Sequence, residues 1–424
     1  MIDLRLRSQR HAPYRARRLA LVSLWAAAVA AVVVQTSAEA EEIPGAFNAV
    51  RPMGMGDAFT GIANDENSVW TNPAGIGRSR KARSRSTFNV SKFPNVIAGA
   101  NSNGRKFYTA FKGAPNKNVE AVLSQSNDIS GKPLWVRGGL FPVTIFDIDR
   151  ETPMAVGLYS NTSVQALVTK DTPNVAQVTA ISDAGAVIDL GFTSSDNRLN
   201  AGLQVRPMLR YAFEDLIPSN DLLSKTLMRR HLQEDANKLT GLGLDAGLLY
   251  TFADFWFPTL GMSVLNLPTG CKSNYLNPYT QKPENVCGNL FHGAISNANA
   301  LSTVDPTDVR VGIAITPRLS HSVNMRVAID AHHIPIGTAA QSYGLQGISA
   351  TKLLHAGAEL FYGNPLIVAP LAARIGVNQG FITYGVTLNV SGIDLEFASY
   401  GVDVSSTSKA SEDRRYLASL SLDL

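Results

Sequence analysis

Two cysteines in 424 residues are too few for a disulfide-stapled scaffold. Charge is scarce as well: 17% of residues are charged, against 45% hydrophobic. The mean hydropathy is +0.01. A disordered chain needs the opposite balance, high charge with low hydrophobicity, so disorder is excluded. After residue 40 no stretch approaches the ~18 consecutive apolar residues of a membrane helix, which excludes a helical multi-span protein. Catalytic signatures are missing too. There is no G-x-S-x-G, no H-E-x-x-H, no G-x-x-x-x-G-K-[ST], and no G-x-G-x-x-G between a strand and a helix. His332 and His333 are adjacent, so their rings diverge in an extended chain and read as loop residues. His355 and Glu359 share one strand face but lack a nucleophile. Neither an enzymatic activity nor a cofactor is expected.

The formal charge of +4 and the pI near 9.0 suggest acidic partners until the charge is located. Arg5, Arg7, Arg10, Arg15, Arg17 and Arg18 precede the uncharged, largely apolar run Leu19–Val34, and Ala38-Glu39-Ala40 follows. A basic segment, an apolar segment and an A-x-A site read as a secretory signal over residues 1–40. The alternative is an uncleaved anchor, but a 16-residue run ahead of a cleavage site favours removal. Removing it takes six basic and two acidic residues, so 38 less 6 and 34 less 2 leave 32 of each sign. The mature chain is formally neutral, and nucleic acid is not an expected partner. Arg78, Arg80, Lys81, Arg83 and Arg85 form a second basic run. It fits lipid phosphates at a membrane rim or a solvated turn, and no aromatic residue interleaves it as single-stranded nucleic acid would require.

From about residue 85 to 424 the chain alternates with period two. In Phe381–Val390, Ile382, Tyr384, Val386, Leu388 and Val390 share one face, and Thr383, Gly385, Thr387 and Asn389 the other. Val309–Thr316, Val323–Asp330, Leu354–Tyr362, Leu242–Thr251, Ala184–Thr193, Asn200–Ala212 and the final segment repeat this. Lengths near the ~9–11 residues of a bilayer-crossing strand predict a transmembrane antiparallel β-barrel of all-β class in the bacterial outer membrane. Connections alternate in length. Short ones fall at 390–392, 362–365, 317–320, 253–255 and 194–198; longer ones at 402–413, 331–351, 266–306, 213–240 and 161–182. The exception is 377–380, where the alternation calls for a long connection. About thirteen strands follow Leu134 and one to three precede it, which gives fourteen, or sixteen if the blurred region before residue 134 holds more.

Residues 41–84 break the strand pattern. Arg51-Pro52-Met53-Gly54-Met55-Gly56-Asp57-Ala58-Phe59-Thr60 leads through Ile62-Ala63-Asn64-Asp65 to Ser68-Val69-Trp70-Thr71-Asn72-Pro73-Ala74-Gly75-Ile76. Glycines at 54 and 56 permit close backbone approach, Ala58–Ala63 reads as one or two helical turns, Asp65 or Asn67 as a cap, and Pro73 as a stop. This stretch resembles the N-terminal segment of the FadL/TodX outer-membrane transporters of long-chain fatty acids and other hydrophobic compounds. It is also similar to PorV-type barrels associated with protein secretion. Asp57 departs from the small residue many relatives carry, and Leu424 from their aromatic terminus. The resemblance implies a hatch over 41–84 inside a barrel over 85–424. Gly54, Gly56, Phe59, Trp70, Asn72, Pro73, Ala74 and Gly75 would then lie at the hatch or along a ligand path. The other reading of the segment is a periplasmic subdomain unconnected with transport.

Opposite the apolar stripes lie Asp189, Arg206, Arg210, Asp245, Arg310, Arg326, Asp330, His355, Glu359, Arg374, Asp394 and Glu396. Facing lipid would cost a midplane Arg about 2–4 kcal/mol, so these residues are expected to point into the lumen. Arg326, Glu359 and Arg374, with Asp394 and Glu396, form the expected charge network; gripping a hatch and merely wetting a lumen are both open. Ser219-Asn220-Asp221 is placed to cap a helix through about Lys238. Its Leu222, Leu223, Leu227 and Met228 suit either a landing surface for apolar ligands or packing within their own loop. Cys271 and Cys287 in one external loop read as a disulfide, and no histidine pair at zinc spacing makes them a metal site. The sequence thus predicts a monomeric, membrane-lipid-embedded barrel that passively admits a hydrophobic small molecule. The alternative is a non-transporting barrel that docks a protein partner.

Overall fold

The computed structural model describes residues 47–79, 88–113, 131–149, 151–168, 175–234, 236–277, 282–294, 303–338, 342–363, 370–404 and 410–423. The expected signal segment and Arg80, Lys81, Arg83 and Arg85 lie outside these residues. Fourteen antiparallel strands close into a barrel. They are β1 (Phe88–Asn101), β2 (Leu134–Leu140, resuming after Phe141-Pro142 as Val143–Asp147), β3 (Pro153–Val168), β4 (Val175–Thr193), β5 (Leu199–Pro218), β6 (Asn237–Thr251) and β7 (Thr259–Leu265). The second half holds β8 (Asp308–Ile315), β9 (Val323–Ala331), β10 (Leu354–Tyr362), β11 (Leu371–Asn378), β12 (Phe381–Val390), β13 (Ile393–Asp403) and β14 (Glu412–Asp423). The seam joins β1 to β14, with Val96 opposite Leu420 and Ala100 opposite Tyr416. Thirteen strands follow residue 133 and one precedes it, because Ser102–Gly113 is a helix, α3, rather than a further strand.

The alternation reads inside out. Along β12, Ile382 and Val386 are 61% and 49% exposed, whereas Thr383 is fully buried. Similar stripes at Leu203, Leu209, Ile329, Leu360, Ile375 and Leu395 surround the wall with an apolar belt. A soluble sandwich buries its apolar stripe; a barrel that exposes it is solvated by lipid, with every wall backbone group paired around the ring. No helix among the described residues is long and apolar enough to cross a membrane. The strands do the crossing, and the chain is an outer-membrane β-barrel.

Connections on the side of the termini are short, such as the two-residue turn Ser391-Gly392, where both residues have positive φ. On the other side, Gln379-Gly380 is equally tight, which accounts for the missing long loop. Within the expected loop at 161–182, the described residues, 161–168 and 175–182, are instead strand. β3 and β4 stay paired from Met154 opposite Leu190 to Val168 opposite Ala176, and β5 continues to Pro218. Polar pairs such as the Thr162–Ser182 hydrogen bond (2.8 Å) sustain the ladder beyond the bilayer, where alternation need not be apolar. The expected helix after Ser219 is also divided, into a 3-10 turn (Ser219–Leu223) and α4 (Lys225–Glu234). The break is at Ser224, whose extended backbone (ψ 103°) interrupts the helix.

Between β7 and β8 the chain leaves the wall and builds three strands of a sheet over the mouth, Gly270–Leu276, Pro283–Leu290 and Val304–Pro306; Ser342–Tyr343, from the β9–β10 connection, is the fourth. Cys271 and Cys287 sit opposite each other in it and are disulfide-bonded. Tyr275, Val286, Val304, Leu345 and Ile348 form its small core.

Because Val386 faces lipid, Val386→Arg should cost about 2–4 kcal/mol in reversible folding into vesicles monitored by urea titration. The same change at the turn residue Ser391 should cost far less; equal costs would mean that Val386 does not face lipid.

Candidate functional site

Residues 47–79 lie against the inner faces of β4 to β14, and nearly all are buried. Helix α1 (Val50–Gly54) tolerates Pro52 because it falls in the first turn, where its N–H is not needed. Gly56 and Asp57 then end it with φ of 69° and 64°. A Cβ at Gly56 would lie 2.5 Å from the carbonyl oxygens of both Ala356 and Val377, so only glycine fits there. The expected helix over Ala58–Ala63 reduces to a single turn, closed by the Ala63 N–H on the Phe59 carbonyl (2.8 Å). The preceding left-handed residues and the diversion of the Thr60 N–H to Asp330 Oδ2 (2.6 Å) leave nothing to propagate it.

Asp65 starts the next turn by accepting from the Asn67 N–H (2.9 Å), ahead of α2 (Ser68–Thr71). Asn72 then joins three parts of the molecule. Its Oδ1 accepts from the Ala74 N–H (3.2 Å), and its Nδ2 donates to the carbonyls of Thr60 (3.0 Å) and, on β6, Leu248 (3.2 Å). Pro73 opens a 3-10 turn to Arg78. This corner fits because the wall offers glycine: a Cβ on Gly247 would meet Asn72 Oδ1 at 2.0 Å, and one on Gly202 the Pro73 carbonyl carbon at 2.4 Å.

The charge network centres on Glu359 of β10. Arg326 Nη1 on β9 and Arg374 Nε on β11 donate to its two oxygens at 2.6 and 2.8 Å. Arg51 of α1 adds a two-pronged contact, Nε to Oε1 at 2.9 Å and Nη2 to Oε2 at 2.7 Å. It also contacts Asn64 (2.9 Å) and pairs with Asp65. Three guanidinium groups thus converge on one carboxylate buried to 1%. Strand periodicity places the two wall arginines; it misses Arg51 because α1 has no strand phase, although a lone arginine amid glycine and methionine is a signal. Glu396 lies 3.7 Å from Arg374, and Asp394 pairs with Lys92 of β1.

Farther round, Arg206 is paired with Asp245, and Arg210 makes two-pronged contacts with Asp183 and with Asp305 from the mouth sheet (2.7–3.0 Å). Asp183 escapes the periodicity argument because the polar residues around it read as loop. Asp189 is fully buried on the same inner face.

Above the hatch, toward the mouth sheet, is a cavity of about 120 Å³. Trp70 borders it, stacked on Phe47 (4.4 Å) and edge-on to Phe141 (4.9 Å) and Tyr159 (5.1 Å). Arg206 and Arg310 border it too, as do Met53, Val69 and Val402. Gly54, Gly56 and Phe59 are not among its lining residues; Phe59 packs within the cluster of Met55, Ala58, Ile62 and Ala63. Asn72 and Ala74 are fully buried, and a Cβ on Gly75 would lie 2.5 Å from that of Ser68, so no passage runs beside Asn72–Gly75. Leu222 and Met228 pack on the external extension of the wall against Ala176, Val178 and Phe213. Leu227 is half-buried, and the side chain of Leu223 lies outside the described residues.

No protein-family model and no curated protein matches the chain. Solved structures do align along most of it. The TodX deltaS2S3 mutant monoaromatic hydrocarbon channel is 12% identical over 89% of this chain and 99% of its own, with a TM-score of 0.49. The Ralstonia pickettii toluene transporter TbuX is 10% identical over 89% and 98%, with a TM-score of 0.47. A Pseudomonas aeruginosa FadL homologue is 8% identical over 90% and 98%, with a TM-score of 0.36. The likeness is one of overall chain path, and the functional reading rests on the lumen itself.

Glu359→Gln should leave three buried guanidinium groups facing a neutral amide. A loss of about 3–5 kcal/mol is expected in equilibrium unfolding, with faster amide exchange across residues 47–79. Unchanged exchange there would show that the network does not hold the hatch. Glu66 supplies a pH test. Burial, together with Asp65 and Glu396 and against Lys92, pushes its carboxyl from 4.5 up to about 7. Its raised value makes the folded hatch the better proton binder, so stability is full below pH 4.5 and is lost as pH rises toward 7. Hatch exchange should therefore quicken between about pH 5 and 8, and Glu66→Gln should flatten that dependence.

Proposed function

We propose that the barrel passively admits hydrophobic small molecules, such as long-chain fatty acids, across the outer membrane. The observation that carries this is the cavity between hatch and mouth sheet, where Phe47, Met53, Val69 and Trp70 form an apolar wall and Arg206 and Arg310 are ion-paired with Asp245 and Asp308. An apolar chain or ring suits that wall. The resemblance of Arg51–Ile76 to FadL/TodX hatches supports the same class. About 120 Å³ is well below the ~300–1,000 Å³ of ligand sites, so this is a closed state and entry requires the Phe47–Trp70 stack to yield.

The wall has a weak point beside that stack. Phe93-Pro94 on β1 and Phe141-Pro142 on β2 face each other, and the register between the two strands shifts there. Each proline withdraws an N–H from the ladder, which leaves the adjoining strands the easiest part of the wall to part. A molecule released from the cavity would meet this seam next to Phe141, and no energy source is needed for it to move down its gradient into lipid.

A sealed lumen also favours a second reading, in which the barrel transports nothing and docks a protein partner. The hatch network closes the middle and the mouth sheet covers the top, as a scaffold would tolerate and a channel must undo. Binding of a fluorescent fatty acid and of a monoaromatic hydrocarbon to the purified barrel separates the two. We expect saturable fatty-acid binding, weakened at least about tenfold by Trp70→Ala, since loss of a large buried aromatic removes several kcal/mol of contact. If neither probe binds while a protein co-purifies in stoichiometric amount, uptake is the wrong reading.

A further inference from the structure

Three residues far apart in sequence meet where the hatch touches the wall: Asp57 after α1, His332 just beyond β9, and His355 on β10. One ring nitrogen from each histidine and one Asp57 oxygen lie within 4.8 Å of one another. Both histidines are buried, to 0% and 3% exposure. His332 faces two carboxylates. Its Nδ1 is 3.4 Å from Asp57 Oδ2, and its Nε2 is 3.4 Å from Asp330 Oδ2 and 3.5 Å from Thr60 Oγ1. His355 donates through Nδ1 to the Gly56 carbonyl at 2.9 Å, which leaves Nε2 as the lone-pair nitrogen. His332 Nδ1 is thus held by Asp57, while among the described residues His355 Nε2 has no hydrogen-bond partner. A buried, unpartnered imidazole nitrogen beside a histidine–carboxylate pair needs an explanation.

We propose that Asp57, His332 and His355 bind a divalent first-row transition cation, through Asp57 Oδ2, His332 Nδ1 and His355 Nε2. The outer contacts are those a ligating histidine uses. In each ring the other nitrogen is turned to an oxygen, Asp330 for His332 and the Gly56 carbonyl for His355, which fixes tautomer and orientation. The donor set of two imidazoles and one carboxylate suits zinc, cobalt or iron(II) rather than calcium or magnesium.

Charge favours the cation as well. Asp57, Asp308 and Asp330 all lie within electrostatic reach of Arg310, which donates to Asp308, as does the His333 backbone N–H. Three carboxylates against one arginine leave two negative charges for a divalent ion. The rings are stacked with centroids 4.2 Å apart. Ligand atoms of a tetrahedral ion with bonds of about 2.0–2.2 Å are about 3.5 Å apart, close to the present 3.4 Å between His332 Nδ1 and Asp57 Oδ2, and the His355 ring must turn out of the stack to aim Nε2 at the same point. Asp57 and His355 both border the cavity above the hatch, which provides an entry route and an open fourth position. Since Asp57 belongs to the hatch and both histidines to the wall, the ion would clamp one to the other. This differs in chemistry and location from the Glu359 network.

The test uses the untagged, chelator-treated full barrel and cobalt(II) alone as probe. One cobalt per chain is expected, with visible ligand-field bands and an X-ray absorption shell of two imidazole nitrogens plus oxygen at about 2.0–2.2 Å. His332→Gln and His355→Gln should each weaken binding at least about tenfold, and Asp330→Asn about tenfold through loss of the orienting contact. Amide exchange of residues 47–79 should slow when the metal is bound. Absence of saturable uptake overturns the proposal, as does a shell without imidazole or binding unchanged in the histidine variants. If a variant does not fold, the wild-type absorption shell decides the matter without it.

Discussion

One buried carboxylate organises the interior. Glu359 accepts from arginines on both neighbouring strands and from a third arginine on the hatch, so the same side chain fixes wall register and hatch position. Removing charge from water is costly, and such groups persist only where geometry and hydrogen bonding satisfy them fully. Here the two-pronged contact from Arg51 helps complete what two wall arginines alone would leave partly filled. The position of α1 then sets where Gly56 turns, where Asp57 lies relative to His332, and how the chain reaches Asn72.

The wall supplies complementary surfaces in the form of absent side chains. Gly202, Gly247, Gly261 and Gly357 take hatch backbone at distances that no Cβ would allow. The hatch therefore docks through backbone shape and through charge, both of which meet it on β10 at Gly357 and Glu359. It also presents an aromatic face, Phe47 and Trp70, to the space under the mouth sheet. Arg210 ties that sheet down through Asp305, so the cavity has a roof held by the same kind of ion pair that holds its floor.

The barrel is legible in the sequence because lipid and lumen impose opposite demands on successive residues, and Ile382 through Val390 record both. The count of fourteen comes from the same rule. Outside the bilayer the rule loosens: β3 to β5 run on through Thr162, Ser182 and Asp215, whose polar character reads as loop although Ala176, Val178 and Phe213 pack there. Arg326, Glu359 and Arg374 are legible as a group because neighbouring strands carry them in phase. Asp57, His332 and His355 are not, since their meeting depends on the hatch fold, and no local period encodes a contact between segments that distant in the chain. The turn expected at Ala58–Ala63 stays at its shortest for a related reason. Local propensity favours it, but Asp330 on the far wall takes the N–H of Thr60.

The convergence of Arg51 on Glu359 bears on how the molecule is put together. The inner face of the wall is not a finished surface: without the hatch, Glu359, Asp330, Gly247 and Gly357 would line a gap with mismatched charges and bare backbone. The hatch likewise shares its core with the wall: Met55, Ala58, Phe59, Ile62, Ala63 and Ala74 cluster with Leu249, Ala314 and Ala328 of the strands. Each part is the inner lining of the other, and a barrel with this interior has no hollow to keep open.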